Sequence, residues 1–428
     1  MIIHIVQPDE TIDSIANYYD VNKERLIFDN DITNVDKLVV GQTIVIVYPK
    51  EVYTVKAGDT ISSIATMYNI TELTLVRNNS FLLDRDVIVD EELVITYQDE
   101  KISDIYTNGY AYPYINKNVL RKNLLYLTYL SIYSYSLNPD GTLTEIDDME
   151  AISLAKSFGV APVMIISGES ADETRNLDFI SDLINNAEIM QQIIERVVEI
   201  AREKGYYAVN IDIPYIGMED RQVFIDLLKR FADRIHNFNI KLFVTITPNS
   251  FGDQNADGYL SIDYETLGSI ADELILLSYS WGNTSEIPFD AAPSVVLQFL
   301  LEYVKNQVPV ENITVGFSSI GYILEFPPVE GITKASSISV TNAIELASQS
   351  GASIEFNQSN QSSYFYVSEK NINFFVYFHD IRGVDYELSR LTALGINGVG
   401  IWNVMYYLAQ TFFLINTQYK IMQVEEEV

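Results

Sequence analysis

From about Ile102 onward, short apolar runs alternate with amphipathic stretches, and few architectures accommodate eight such alternations in one segment. The runs are Asn108–Tyr114, Tyr126–Tyr135, Pro162–Ser167, Tyr207–Ile213, Leu242–Pro248, Glu273–Ser280, Thr314–Ser319 and Gly398–Asn403. Helical spacing marks the stretches between several of them, such as Met149–Phe158, Glu188–Lys204, Glu219–His236 and Pro293–Gln307. Strands that each need a covering helix close most naturally into a (β/α)8 barrel, so the fold class is α/β. One segment, 321–384, breaks the alternation. Its aromatic runs Ser363-Tyr364-Phe365-Tyr366-Val367 and Asn373-Phe374-Phe375-Val376-Tyr377-Phe378 have strand period, which predicts a small α+β insertion before the eighth strand.

Ahead of the barrel lies a repeat with a period of 49 residues. The stretch from Ile5 to Ala16 aligns with Thr54 to Ala65, Tyr19 with Tyr68 and Asn30 with Asn79. The closing alternation Gln42-Thr43-Ile44-Val45-Ile46 aligns with Glu91-Glu92-Leu93-Val94-Ile95. Each copy reads strand, helix, helix, strand, with Thr11 or Thr60 as the first N-cap. The expected domains are therefore 1–49, 50–98 and 102–424, with the insertion at 321–384 inside the third.

The repeat resembles the LysM module, whose pattern opens V-x-x-G-D-T-[LI]-x-x-I-A, carries an Asn after its second helix and ends G-Q-x-[LIV]-x-[IV]. LysM modules bind N-acetylglucosamine polymers such as peptidoglycan and chitin. The resemblance implies a shallow groove in each copy, between the loop after the first strand and the loop after the second helix. Its glycan-binding positions would be Asp9, Thr11 and Asn30 in the first copy, and Gly58, Asp59, Thr60 and Asn79 in the second. The first copy departs at Asp9-Glu10, where Gly-Asp is usual, and the second at Asp90-Glu91, where Gly-Gln is usual.

The barrel segment resembles glycoside hydrolase family 18. Its fourth strand, Gly205-Tyr206-Tyr207-Ala208-Val209-Asn210-Ile211-Asp212-Ile213-Pro214-Tyr215, sits on the family's D-x-x-D-x-D-x-E signature. The likeness extends to Gly109-Tyr110-Ala111-Tyr112-Pro113, to Leu277-Ser278-Tyr279-Ser280-Trp281-Gly282 and to Asn397-Gly398-Val399-Gly400-Ile401-Trp402. Two LysM modules ahead of such a barrel look like the bacterial spore cortex-lytic N-acetylglucosaminidases that act in germination. The family works by substrate assistance: a Glu protonates the leaving oxygen while an Asp orients the substrate acetamide. Mapped residue by residue, the acetamide-orienting Asp is Asp212, the middle carboxylate is Asn210, an ordinary variant in this branch, and the acid Glu falls on Pro214. Proline carries no titratable group, and a positioned general acid contributes ~10²- to 10⁴-fold in rate. Tyr279 matches the family's acetamide-binding Tyr, but its neighbouring carboxylate has become Ser280. Trp402 matches the floor under the reacting sugar, and Tyr110, Tyr112, Tyr133 and Tyr135, near the first two strand ends, could add stacking or serve as packing. The expectation is a glycan-binding barrel with impaired hydrolysis, the alternative being an active N-acetylglucosaminidase using another proton donor such as Glu219. Glu219 reads more simply as an early helix acid.

Composition narrows the partners. With 27 Lys and Arg against 59 Asp and Glu the net charge is −32, which repels nucleic acid and anionic membranes. Zero Cys and three scattered His leave no thiol chemistry and no zinc cluster, so no metal and no cofactor is expected. Asp253 to Gly258 copies the first half of an EF-hand loop, but its twelfth position is Tyr264, so an Asx-rich turn is expected there. The start of the chain has no basic and apolar leader pattern, and on the resemblance the protein belongs in the spore cortex or coat, with peptidoglycan and spore-layer proteins as partners.

Overall fold

Reciprocal capping starts the first helix of each repeat in the same way. In the computed structural model the Thr11 hydroxyl accepts from the Ser14 amide at 3.1 Å while the Ser14 hydroxyl accepts from the Thr11 amide at 2.9 Å, and Thr60 and Ser63 repeat the exchange. The structure describes residues 1–168, 182–212, 221–246, 262–277, 294–329 and 332–424. The first module runs β1 (Ile2–Ile5), α1 (Ile12–Tyr19), α2 (Lys23–Asp29) and β2 (Thr43–Ile46), with β1 and β2 antiparallel. The second runs β3 (Pro49–Thr54), α3 (Ile61–Tyr68), α4 (Glu72–Asn78) and β4 (Glu92–Tyr97) on the same plan. Each has its own apolar core, built on Ile12, Ile15, Ile44 and Ile46 in one and on Ile64, Leu75, Leu93 and Ile95 in the other.

The barrel strands are β5 (Asp104–Ala111), β6 (Tyr129–Leu137), which carries the short hairpin partner β7 (Leu143–Thr144), β8 (Ala161–Ser167), β9 (Ala208–Asp212), β10 (Lys241–Ile246), β11 (Glu273–Leu277) and β12 (Ile313–Ser318). Between β12 and the last barrel strand lies the insertion: β13 (Ile320–Phe326), β14 (Ser336–Ser339), β15 (Glu355–Asn357), β16 (Ser362–Glu369) and β17 (Ile372–Phe378). The eighth barrel strand, β18 (Gly398–Trp402), pairs with β5, and the β5–β6 pairing closes eight parallel strands into a ring. This is the expected (β/α)8 barrel. All eight anticipated runs form strands, but the first begins at Asp104, four residues early, because β5 also pairs in parallel with the terminal β19 (Lys420–Ile421).

The insertion is a five-stranded antiparallel sheet in the order β14-β13-β17-β16-β15, with one helix, Val340–Ser350. Strand alternation gives it two apolar faces. Phe365, Val376 and Phe378 pack on Ala343 and Ala347 of the helix, and Val39 of the first module joins them. Tyr322, Phe326, Tyr364, Phe375 and Tyr377 line the other face.

Neither module hangs free. Arg25 of α2, half-buried between the two modules, pairs with Asp29 at 2.7 Å, donates to the Asn79 side chain at 3.1 Å and to the Tyr97 hydroxyl at 3.2 Å, and also bonds the Asn78 carbonyl. Gly41 sits at φ +86° where an added Cβ would lie 1.9 Å from the Ile354 carbonyl oxygen, so the turn before β2 lies directly on the insertion backbone. There the Ile354 amide donates to the Val40 carbonyl at 2.8 Å.

Candidate functional site in the barrel mouth

Side chains two apart on a strand face the same way, which brings Asn210 and Asp212 of β9 together into the barrel mouth. Both are buried. The Asn210 amide is locked by the Thr245 hydroxyl of β10, which accepts from Nδ2 at 2.9 Å and donates to Oδ1 at 3.0 Å. Asn210 thus presents a fixed amide beside the Asp212 carboxylate. Sequence reasoning missed Thr245, because its role depends on the β9–β10 register, which pairs Phe243 with Asn210.

Across the mouth, Trp402 ends β18 and is 9% exposed. Three tyrosines from the neighbouring strands β5 and β6 and the turn after β5 set edges against it: Tyr110 at 5.9 Å, Tyr112 at 5.9 Å and Tyr133 at 5.3 Å between ring centroids. Tyr114, 77% exposed, stacks on Tyr112 at 5.3 Å and 18°. The rings therefore run from solvent to the cleft floor. Apolar ring faces flanked by hydroxyls suit the C–H faces and hydroxyl rims of sugars.

Tyr110 reaches the barrel interior because Gly400 and Gly316 face each other across β18 and β12; a Cβ on Gly400 would lie 3.2 Å from the Gly316 Cα and 3.4 Å from the Tyr110 ring. Burial, with the negative fields of Asp212 and Glu273 behind it, holds the Tyr110 phenol protonated. Glu273, at the start of β11, is buried and bonded by the Thr314 hydroxyl; burial pushes its carboxyl up to about 7. Of the stacking candidates, Tyr112 and Tyr133 join the Trp402 cluster. Tyr135 does not: its hydroxyl donates to Asp148, which also holds the Lys204 amine at 2.7 Å and the Tyr206 hydroxyl, a buried network apart from the Trp402 cluster. Pro214, Glu219, Tyr279, Ser280 and the 253–258 loop lie outside the described residues.

In the modules, Thr11 and Thr60 act as caps, while Asp9 at φ 68° and Gly58 at φ 92° occupy the same left-handed turn position. Asp59 accepts from the Lys56 amide at 2.8 Å and the Tyr53 hydroxyl at 2.7 Å; Glu10 does the same with the Gln7 amide at 2.7 Å and His4 at 2.8 Å. Asn30 and Asn79 are buried pins. Asn30 donates to the Leu26 and Val45 carbonyls and accepts from the Val45 amide, and Asn79 does so with Leu75 and Val94.

The family model of glycosyl hydrolases family 18 matches residues 96–406, and LysM domain models match residues 4–47 and 53–96. The chain belongs to glycosyl hydrolases family 18. A curated relative, the cortical fragment-lytic enzyme of Bacillus subtilis (strain 168), is 33% identical over 431 residues, covering 99% of each chain. Among solved structures, the spore cortex-lytic enzyme SleL of Bacillus megaterium QM B1551 superposes with a TM-score of 0.81 at 23% identity, and SleL of Bacillus cereus with 0.79 at 24%. Each comparison covers 99% of both chains, so this family 18 member shares their whole arrangement of modules, barrel and insertion.

Proposed function

We propose that this protein binds N-acetylglucosamine-containing glycan, peptidoglycan of the spore cortex above all, through its LysM pair and a barrel cleft in which hydrolysis is impaired. The assembled ring of Tyr110, Tyr112, Tyr133 and Trp402 facing Asp212 and a locked Asn210 carries this reading: the sugar-holding wall is built, while the motif position for the acid is Pro214. The left-handed turns at Asp9 and Gly58, braced by Glu10 and Asp59, support contact between the module loops and acetamido groups. The spore, with cortex or coat proteins as neighbours, is the proposed setting.

The second reading, an active N-acetylglucosaminidase, is favoured by the full-length likeness to a cortical fragment-lytic enzyme. Prolonged incubation with cortex muropeptides and N-acetylglucosamine oligomers, read by mass spectrometry alongside Pro214→Glu, separates the two. No products from the parent and products from Pro214→Glu are expected. Cleavage by the parent would overturn the impaired reading and direct attention to Glu219. Trp402→Ala should weaken oligosaccharide binding in the cleft while leaving LysM-dependent pull-down on peptidoglycan intact.

A further inference from the structure

The first module, the insertion and the barrel enclose a cavity of about 470 Å³, within the ~300–1,000 Å³ span of small-molecule pockets. Its walls come from the loop after α2 (Asn30 to Asn34), from the insertion helix Val340–Ser350, and from the segment Tyr406 to Thr411. That last segment starts four residues beyond Trp402, so one stretch of backbone leads from the cleft floor to the cavity wall. The loop between β1 and α1, one side of the expected module groove, does not line it. The loop after α2, the other side of that groove, is the wall the two share.

Its chemistry selects for an uncharged polyol. Three helices begin on its wall, after Ser339, Asp380 and Leu408; the Ser339 and Asp380 side chains cap the first two, and the last has no side-chain cap, which leaves its first-turn N–H donors on the wall. An anion is nonetheless disfavoured. Asp380 is neutralised by Arg382 at 2.6 Å, and the Lys37 amine is taken by the Ser348 carbonyl at 2.6 Å, leaving the Asp31 and Glu345 carboxylates on the wall. His379 also lines the cavity, and among the described residues neither ring nitrogen has a hydrogen-bond partner. Burial pushes its imidazole below the usual histidine range, against the opposing field of Asp380, so at neutral pH the ring offers one donor and one acceptor. Tyr406, half exposed, adds a ring face.

We propose that this cavity is a second glycan site, distinct from the barrel cleft and adjoining the first module groove across the loop after α2, that takes a short uncharged N-acetylhexosamine segment against His379, Gln349 and Tyr406. It rests on the glycan-binding reading above. The three histidines make the test direct: His379 reports on the cavity, His4, bonded to Glu10, on the first module groove, and His236, paired with Asp272, on neither. Histidine ring NMR of the full chain is followed while N,N′-diacetylchitobiose is added, with inorganic phosphate as the anionic control. The expected result is a saturable His379 shift with the disaccharide and none with phosphate, persisting in Trp402→Ala and weakened about tenfold or more by Thr341→Trp, which fills the cavity from an exposed helix position. A silent His379 while Trp402-dependent fluorescence responds overturns this site and spares the cleft. A shift undiminished by Thr341→Trp also overturns the site. Silence of every probe overturns both readings.

Discussion

The two LysM modules share a fold almost residue for residue, yet their surroundings differ. Each pins its core with a buried Asn, and each Asn Oδ1 accepts one further bond from outside its module. Asn30 takes it from Gln410 of the barrel at 3.1 Å, and Asn79 takes it from Arg25 of the first module at 3.1 Å. The first module touches barrel, insertion and second module. The second touches the barrel, where Arg77 donates to the Leu125 carbonyl and Arg121 pairs with Asp84 at 3.0 Å. The turn before the last strand records the difference. The first copy keeps Gly41 because the insertion backbone lies against it, whereas the second holds Asp90 at φ 69° in the same turn. A position that looks like family noise is a map of which face is covered.

That contrast can be broken at graded cost. Arg25→Ala should be the most damaging change, because it strands the half-buried Asp29 carboxylate and releases the second module; about 3 kcal/mol is expected in denaturant unfolding. An unchanged midpoint would mean that the modules are not coupled through this arginine. Next is Gly41→Ala, expected to cost about 2–4 kcal/mol from the clash and the left-handed φ, while Asp90→Gly should fall within about 1 kcal/mol of zero. Equal effects at the two turns would dissolve the asymmetry. Thr11→Ala and Thr60→Ala should then cost about 1 kcal/mol each, since both caps are the same device.

The smallest effect is a pH dependence common to both modules. The Gln7 amide and His4 hold the Glu10 carboxyl below its ordinary range despite a burial penalty, and the Lys56 amide and Tyr53 hold Asp59 low. A carboxylate whose pKa is lower in the folded state stabilises fully at neutral pH, and that contribution fades as pH falls through the carboxylate range near ~4. Stability followed from pH 7 downward should therefore drop less in a Glu10→Gln, Asp59→Asn double variant than in the parent. Identical slopes would remove these two groups from the account.

Elements legible in the sequence are those set by local period and capping: the eight barrel strands, the repeated Thr caps and the aromatic alternation of the insertion. The shared face of Asn210 and Asp212 followed from strand alternation, whereas Trp402 and Tyr110 were reached through the family resemblance. Thr245, Arg25 and Gln410 were not legible. Each acts through a neighbour far away in the chain or set by strand register, and nothing local separates an Arg on a solvated helix from one that two modules share. Asn30 and Asn79 show the opposite problem, since a motif position reads as a binding residue while its polar atoms close the fold.

Only Val47 and Tyr48 separate β2 from β3, six residues separate β4 from β5, and Arg77 and Asp84 bond the second module to the barrel. A module on a long tether raises local concentration over a sphere of reachable positions, whatever the shape of the polymer. Here that sphere has collapsed to fixed points. Under the proposed function, modules and cleft would reinforce each other only on a strand long enough to reach both, and a short fragment would meet one site at a time.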